Sequence, residues 1–207
     1  SLAHFYYGAD LGEGGFGKVV LAKYLPSGNL CAIKSVRKSV LHRPSQLKAV
    51  ECEKKVLIHL RKNSSAYSVC MHACFRTEFS MLFVLDFCDG GNIIDLLGDL
   101  IVHNQISEDM LRFYACGMIL AVEELHNLSI LHRDIKLENF LVNRSGHIKI
   151  ADFGSTEFSI PVKGRLGTIG YESPEALSGD YYDGRSDYWS VGMCLYLIRY
   201  NRNPVYD

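Results

Sequence analysis

The feature that most constrains this chain of 207 residues is a set of five short segments in a fixed order. A glycine-rich segment comes first, and an apolar run that ends in Lys34 follows it. A periodic segment with Glu53 comes next, then His132-Arg133-Asp134, and finally Asp152-Phe153-Gly154. Each segment alone is a weak signal, because short motifs also recur in unrelated proteins. Their joint order is specific, so any fold for this chain must account for all of them.

The glycine-rich segment, from Gly12 to Val19, reads G-x-G-x-x-G-x-V. Glycines let the backbone approach phosphate oxygens closely and offer N–H groups. The apolar residues on both sides predict a strand, a turn and a second strand, whereas a dinucleotide-binding fingerprint needs a helix after the turn. A lone glycine repeat is more often an ordinary hairpin. The run Cys31-Ala32-Ile33-Lys34 favours phosphate binding, because it predicts a third strand that carries a cation beneath the loop.

Lys34 needs an anion to hold it, and a predicted helix offers two candidates. Apolar residues recur at helical spacing between Gln46 and Leu60, namely at Leu47, Val50, Val56, Leu57 and Leu60. Glu53 lies inside this helix and is the preferred partner of Lys34, with Glu51 as the alternative. Because the two glutamates are two residues apart, they point to different faces of the helix.

The segment from His132 to Asn139 combines an acid, a base and an amide. Asp134 would accept or orient the proton of an attacking hydroxyl, and Lys136 would neutralise a moving phosphoryl group. Asn139 offers an oxygen to a hard cation such as Mg²⁺, and Asp152 offers the main carboxylate. An ordinary turn is the alternative for Asp152-Phe153-Gly154, but the upstream segments argue against it.

Together these motifs resemble the catalytic domain of eukaryotic-type protein kinases, and the resemblance covers essentially the whole chain. Lys136 and Thr168 resemble the serine/threonine class, and other segments resemble the AGC group near its protein kinase C-related members. The resemblance implies an α+β, bilobal fold, with a strand-rich small lobe over residues 1–86 and a mainly helical large lobe over 87–207. The family continues beyond the position of Asp207, so the large lobe would lack its last helices.

The resemblance also implies a function: transfer of the γ-phosphoryl of ATP, with Mg²⁺, to serine or threonine hydroxyls of protein substrates. The catalytic residues would be Asp134, Lys136, Lys34 and Glu53, and the metal ligands Asn139 and Asp152. ATP would lie between the lobes, against Leu11, Gly12, Gly14, Gly15, Phe16, Gly17, Val19, Ala32, Lys34, Leu85, Asp86, Cys88, Glu138 and Leu141. The alternative is an inactive kinase-like scaffold or truncated fragment that binds partners or nucleotide without catalysis.

Two further expectations follow from the resemblance. Asp187 would anchor the catalytic loop, which makes it a structural residue. Gly164 occupies the position where AGC members usually carry an activating phosphothreonine, and Arg133 would normally bind that phosphate. Nearby hydroxyls occur only at Ser155, Thr156, Ser159 and Thr168. The chain is therefore expected not to be switched by phosphorylation at position 164.

A long helix is predicted from the cap residue Ser107 through Asn127. Its apolar side is predicted to consist of Met110, Phe113, Tyr114, Met118, Ile119, Val122 and Leu125. A turn at Asn143-Arg144-Ser145-Gly146 is predicted to join two short strands, the second of which ends just before Asp152.

The amino-acid composition limits the binding partners and the cellular compartment expected for this chain. The net charge of −1 argues against a nucleic-acid-binding protein that relies on a basic surface. The 7 cysteines show no metal-ligand spacing, which favours reduced thiols and a cytoplasmic location. No apolar run reaches membrane-spanning length, and no signal peptide is recognisable. The oligomeric state stays undetermined.

Overall fold

The computed structural model describes residues 2–14, 17–158 and 160–205. The chain forms two compact units. The first contains the residues up to Ser64 together with Val69–Phe87, and the second contains Ser65–Ser68 together with Cys88 and the residues after it. The division expected from the sequence came after residue 86, so it did not anticipate that Ser65–Ser68 joins the second unit.

The first unit is built on a five-stranded antiparallel sheet. Its strands are β1 (Phe5–Gly14), β2 (Gly17–Tyr24), β3 (Leu30–Arg37), β4 (Met71–Arg76) and β5 (Ser80–Asp86), in the order β1-β2-β3-β5-β4. The glycine-rich segment thus joins two strands, as predicted. A Cβ on Gly17 would overlap the carbonyl oxygen of Ser35 in β3, so this glycine is required by sheet packing as well.

Helix α1 (Pro44–Lys62) extends the predicted helix by two residues at each end. Pro44 suits the first turn because N–H groups there lack intrahelical partners. Its buried residues are Val50, Glu53, Val56, Leu57 and Leu60. Leu47 was grouped with them by spacing, but it is exposed. It lies roughly 100° around the helix from the centre of the buried face.

The second unit is mainly helical. Its helices are α2 (Ile93–Val102), α3 (Glu108–Asn127), α4 (Pro174–Ser178) and α5 (Arg185–Tyr200). Two antiparallel strand pairs accompany them: β6 (Phe140–Val142) with β7 (Ile148–Ile150), and β8 (Val162–Lys163) with β9 (Tyr181–Tyr182). The predicted turn at 143–146 joins β6 to β7. Short 3₁₀ helices occur at Leu2–His4, Lys38–Val40 and Leu137–Asn139.

Helix α3 has the predicted bounds, because Ser107 caps it by accepting a hydrogen bond from the N–H of Met110 at 3.2 Å. The buried residues of α3 are Tyr114, Met118, Ala121, Val122 and Leu125. Phe113 and Ile119 are exposed, so placing them on the apolar side was wrong. Both lie about 100° or more from the centre of the buried stripe. Among the described residues, no helix has both the length and the apolar character needed to span a bilayer.

Ser65–Ser68 belongs to the second unit because its polar groups bind there. The carboxylate of Glu124 on α3 accepts hydrogen bonds from the hydroxyl of Ser65 and from the N–H groups of Ala66 and Tyr67. The carbonyl oxygen of Tyr67 accepts a hydrogen bond from the N–H of Ile150 in β7 at 2.7 Å. These contacts are distant in sequence, which is why spacing alone did not reveal them.

Candidate active site

In the first unit, Lys34 and Glu53 form a close ion pair. The Nζ atom of Lys34 lies 2.6 Å from Oε1 of Glu53, and the two side chains are 21% and 5% exposed. Strand β3 carries the lysine, and the buried face of α1 carries the glutamate. Glu51 is exposed, so the structure selects Glu53 between the two candidates.

Four residues predicted to contact nucleotide share one face of the first unit's sheet. Val19 is paired with Lys34 across β2 and β3, and Ala32 is paired with Leu85 across β3 and β5. Side chains of paired residues point to the same side of a sheet, as do residues two apart on one strand. Lys34 and Ala32 therefore lie on the same side as Val19 and Leu85, and the opposite face carries a core of Ala22, Cys31, Ile33 and Val84.

The other predicted nucleotide residues of the first unit are less enclosed. Leu11 is exposed in β1, and Gly12, Gly14 and Gly17 lie at the facing ends of β1 and β2. Gly15 and Phe16 lie outside the described residues. The N–H of Asp86 donates to the carbonyl oxygen of Cys70 at 3.0 Å, so it is not a free donor for an adenine ring.

In the second unit, Asp134, Lys136 and Thr168 form a closed triangle of contacts. The Nζ atom of Lys136 lies 3.0 Å from Oδ2 of Asp134 and donates to Oγ1 of Thr168 at 2.9 Å. The hydroxyl of Thr168 in turn donates to Oδ1 of Asp134 at 2.6 Å. The carboxylate of Asp134 thus contacts an ammonium group on one oxygen and a hydroxyl on the other. The sequence indicated Thr168 as a class marker, but not as the link between the other two residues.

The loop that carries Asp134 is held in place by hydrogen bonds to a buried aspartate, Asp187. Asp187, which is 2% exposed, accepts hydrogen bonds from the N–H groups of His132 and Arg133, each at 2.9 Å. It also contacts Nε2 of His126 at 2.8 Å. The predicted anchoring contact of Asp187 is therefore present, and it holds the backbone one residue before Asp134.

His132 is completely buried and its partners define its tautomer. Nε2 lies 3.1 Å from the carbonyl oxygen of Ala151, and Nδ1 lies 3.3 Å from the N–H of Asp134. Because the carbonyl can only accept and the N–H can only donate, these contacts match the tautomer that carries a proton on Nε2. His132 therefore connects the two segments that carry Asp134 and Asp152.

Asn139 and Asp152, the predicted metal ligands, are an amide and a carboxylate, which carry oxygen atoms of the kind that Mg²⁺ prefers. The side-chain nitrogen of Asn139 donates to the carbonyl oxygen of Asp134 at 2.8 Å, which directs the amide oxygen elsewhere. Asp152 is exposed and has a φ of 61°, a left-handed conformation that is uncommon outside glycine. Among the described residues no cluster of three or more His, Cys, Asp or Glu could hold a metal. A cation that keeps water and phosphate ligands fits such a sparse set best.

The remaining predicted nucleotide residues of the second unit are Cys88, Glu138 and Leu141. Cys88 is 7% exposed, Leu141 in β6 is half-buried, and Glu138 is exposed.

Burial, reinforced by nearby negative charges that include Glu138 and Asp134, raises the pKa of Tyr171 far above its usual range. This tyrosine, which the sequence did not single out, therefore stays a neutral phenol beneath the catalytic loop.

Comparisons with known proteins agree with this geometry. The family profile described as "Protein kinase domain" matches residues 5–207. "Protein kinase C-like 1" of Candida albicans is 33% identical over 98% of this chain and 18% of its own length. "Serine/threonine-protein kinase mrck-1" of Caenorhabditis elegans is 33% identical over 95% of this chain and 13% of its own length. "Protein kinase C, eye isozyme" of Drosophila melanogaster is 33% identical over 98% of this chain and 29% of its own length.

The chain therefore spans less than a third of the length of these relatives. The names of the Candida albicans and Drosophila melanogaster relatives confirm the predicted resemblance to protein kinase C-related enzymes. The family profile covers nearly every residue, including the segments that contain Lys34, Asp134 and Asp152. On these grounds the chain belongs to the protein kinase domain family.

Proposed function

We propose that this chain is a serine/threonine protein kinase domain that transfers the γ-phosphoryl of ATP to serine or threonine hydroxyls of proteins. The observation that carries the proposal is the triangle of Asp134, Lys136 and Thr168. It combines an acceptor for the hydroxyl proton with a cation beside it. Little covalent chemistry is required of the protein in phosphoryl transfer, so positioning and charge stabilisation are the main contributions.

Asp134 is proposed to orient the attacking hydroxyl and to accept its proton. The carboxylate is 13% exposed and receives a hydrogen bond on one oxygen and an ammonium group on the other. Lys136 is proposed to balance the negative charge that develops as the phosphoryl group moves, and Thr168 keeps the two side chains at a fixed distance.

Lys34 is proposed to bind phosphate oxygens of ATP, with Glu53 holding it in place. Asn139 and Asp152 are proposed as the protein ligands of Mg²⁺, which would offset the negative charge of the phosphates. Val19, Ala32 and Leu85 are proposed to contact the adenine ring, because they share the sheet face that carries Lys34.

The relatives named above are protein kinases by name, and this supports catalysis over a purely scaffolding role. A scaffold without activity would typically lack one of the charged or amide groups, whereas Lys34, Glu53, Asp134, Asn139 and Asp152 are all present. The seven cysteines are all free thiols, which supports the proposed cytoplasmic location.

Phosphoryl transfer tests this proposal directly. The protein is incubated with Mg²⁺ and γ-labelled ATP in the presence of a peptide library with serine, threonine or tyrosine acceptors. We expect label on serine and threonine, and a fall in kcat of about a hundredfold or more in Asp134→Asn, since proton transfer by a positioned side chain contributes at least that much.

Asp109→Asn is the matched control, because Asp109 is an aspartate whose side chain is 95% exposed on α3. It should transfer phosphate at the wild-type rate. Full activity in Asp134→Asn, or label on tyrosine alone, would contradict the proposal.

A further inference from the structure

Arg133, which directly precedes Asp134, has its side chain held by a tyrosine. Its Nε atom donates to the hydroxyl of Tyr182 at 2.9 Å, and its Cζ atom lies 5.8 Å from the centre of the tyrosine ring. Within the described part of the chain the guanidinium forms no ion pair with a carboxylate. A half-buried cation therefore relies on a neutral hydroxyl for its side-chain contact.

Arg133 has a conformation that requires support. Its φ is 71°, in the left-handed region that non-glycine residues seldom adopt. Such conformations persist only where surrounding contacts fix them. Asp187 fixes the backbone N–H of Arg133, and Tyr182 fixes the guanidinium, so the residue is held at both ends. The position of Asp134 depends on both contacts because it is the next residue.

Tyr182 is itself rigidly placed. It is 4% exposed and packs in a small core with Leu131, Val162 and Ala176. Its strand β9 is paired with β8 through Val162. Leu131 exchanges two backbone hydrogen bonds with Glu157, at 2.9 and 3.0 Å. The tyrosine thus joins the start of the catalytic loop to the segment that follows Asp152.

In the segment that follows Asp152, few residues could carry a phosphate that would bind Arg133 in place of the Tyr182 hydroxyl. Gly164 has no hydroxyl, and its φ of 108° is a value that residues with a side chain rarely adopt. Thr156 is buried and its hydroxyl donates to the carbonyl oxygen of Phe153 at 2.7 Å. Thr168 is committed to Asp134 and Lys136. Ser159 lies outside the described residues.

We propose that Tyr182 is a positioning residue for phosphoryl transfer. Its hydroxyl holds the guanidinium of Arg133, and through it Asp134, without any phosphate on residues 155–168. This inference rests on the proposed function for the role of Asp134. The contact between Arg133 and Tyr182 is a physical one, however, and it can be tested without catalysis.

The kinetic test uses the full chain with Mg·ATP and a mixed histone preparation as acceptor. Tyr182→Phe keeps the ring in its core and removes only the hydroxyl, and we expect kcat to fall about tenfold with the KM for ATP changed less than about twofold. Tyr181→Phe is the matched control, because Tyr181 is the adjacent tyrosine of β9, is 65% exposed, and its side chain meets Lys163 through the ring, which the substitution keeps. It should match the wild type.

A double-mutant cycle separates positioning from general destabilisation. If Tyr182 acts through Arg133, Arg133→Lys with Tyr182→Phe should be no slower than Arg133→Lys alone. Phosphatase treatment of the wild type should leave its rate unchanged. Additive losses in the cycle, or loss of activity after phosphatase treatment, would overturn the proposal.

Amide hydrogen exchange provides a measurement that does not need a working enzyme. Tyr182→Phe should accelerate exchange about tenfold across residues 131–136, and Tyr181→Phe should not. If the wild type transfers no phosphate but this acceleration occurs, the proposed function fails while the positioning contact holds. Unchanged exchange in Tyr182→Phe overturns the positioning role, whatever the activity.

Discussion

Buried charges in this protein are held by specific partners, and these partners identify the side chains that matter most. Glu53 is 5% exposed and holds Lys34, while Asp187 is 2% exposed and accepts two backbone N–H groups. Removing one member of such a set leaves the other charge without compensation, which costs more than the pair contributes. Both sets support residues proposed for catalysis, so a loss of stability and a loss of activity should coincide there.

Replacing Glu53 should therefore affect both properties. Glu53→Gln keeps the shape of the side chain but removes the negative charge that pairs with Lys34, and we expect the free energy of unfolding to fall by roughly 1–3 kcal/mol. The KM for ATP should rise, since the lysine is no longer fixed. Urea unfolding and steady-state kinetics measure the two effects.

Glu51→Gln is the control, because Glu51 occupies the same helix α1 but is exposed. It should change neither quantity. Equal effects of the two substitutions would show that the ion pair with Lys34 has no special importance.

Helices illustrate how far the sequence determines this structure. The bounds of α3 follow from a local signal, since Ser107 caps the first turn. The buried face is less predictable, because apolar residues such as Phe113 and Ile119 also occur on the exposed side. A helix that is apolar over more than half of its circumference does not reveal its core-facing side by spacing alone. Contacts with neighbouring elements decide it.

Two cysteines on different helices should differ strongly in reactivity. Cys116 lies on the exposed side of α3, whereas Cys194 on α5 is completely buried, and that burial raises the pKa of its thiol far above the usual range. Because the thiolate is the reactive form, iodoacetamide at neutral pH should alkylate Cys116 first and Cys194 only after unfolding. Peptide mass spectrometry over time gives the order. Early labelling of Cys194 in the folded protein would contradict the burial of this thiol on α5.

Across the chain as a whole, residues in contact are often far apart in sequence. Motif spacing predicted the strands around the glycine-rich segment and the groups in the catalytic loop, because those signals are local. It did not predict the contact between Arg133 and Tyr182, nor the binding of Ser65–Ser68 by Glu124. In both cases an ordinary residue gains its importance from a partner about fifty or more positions away.

Glu124 should consequently stabilise the second unit. Glu124→Gln keeps one acceptor oxygen and loses the charge, so at least one of three hydrogen bonds is weakened or lost. We expect a loss of about 2 kcal/mol, equivalent to a fall of roughly 5 °C in Tm. Differential scanning calorimetry measures it. Glu123→Gln changes the exposed neighbouring glutamate and should melt like the wild type. Equal melting of both variants would contradict the role assigned to Glu124.

The assignment of Ser65–Ser68 to the second unit also has a consequence for synthesis on the ribosome. The last strand of the first unit's sheet is complete once Asp86 has emerged, yet Ser65 must wait for Glu124, 59 residues after it. At typical elongation rates this delay is on the order of seconds, far longer than the time in which hairpins form. Until Glu124 emerges, the N–H groups of Ala66 and Tyr67 lack the carboxylate that binds them in the folded protein, although the segments on either side are already able to fold.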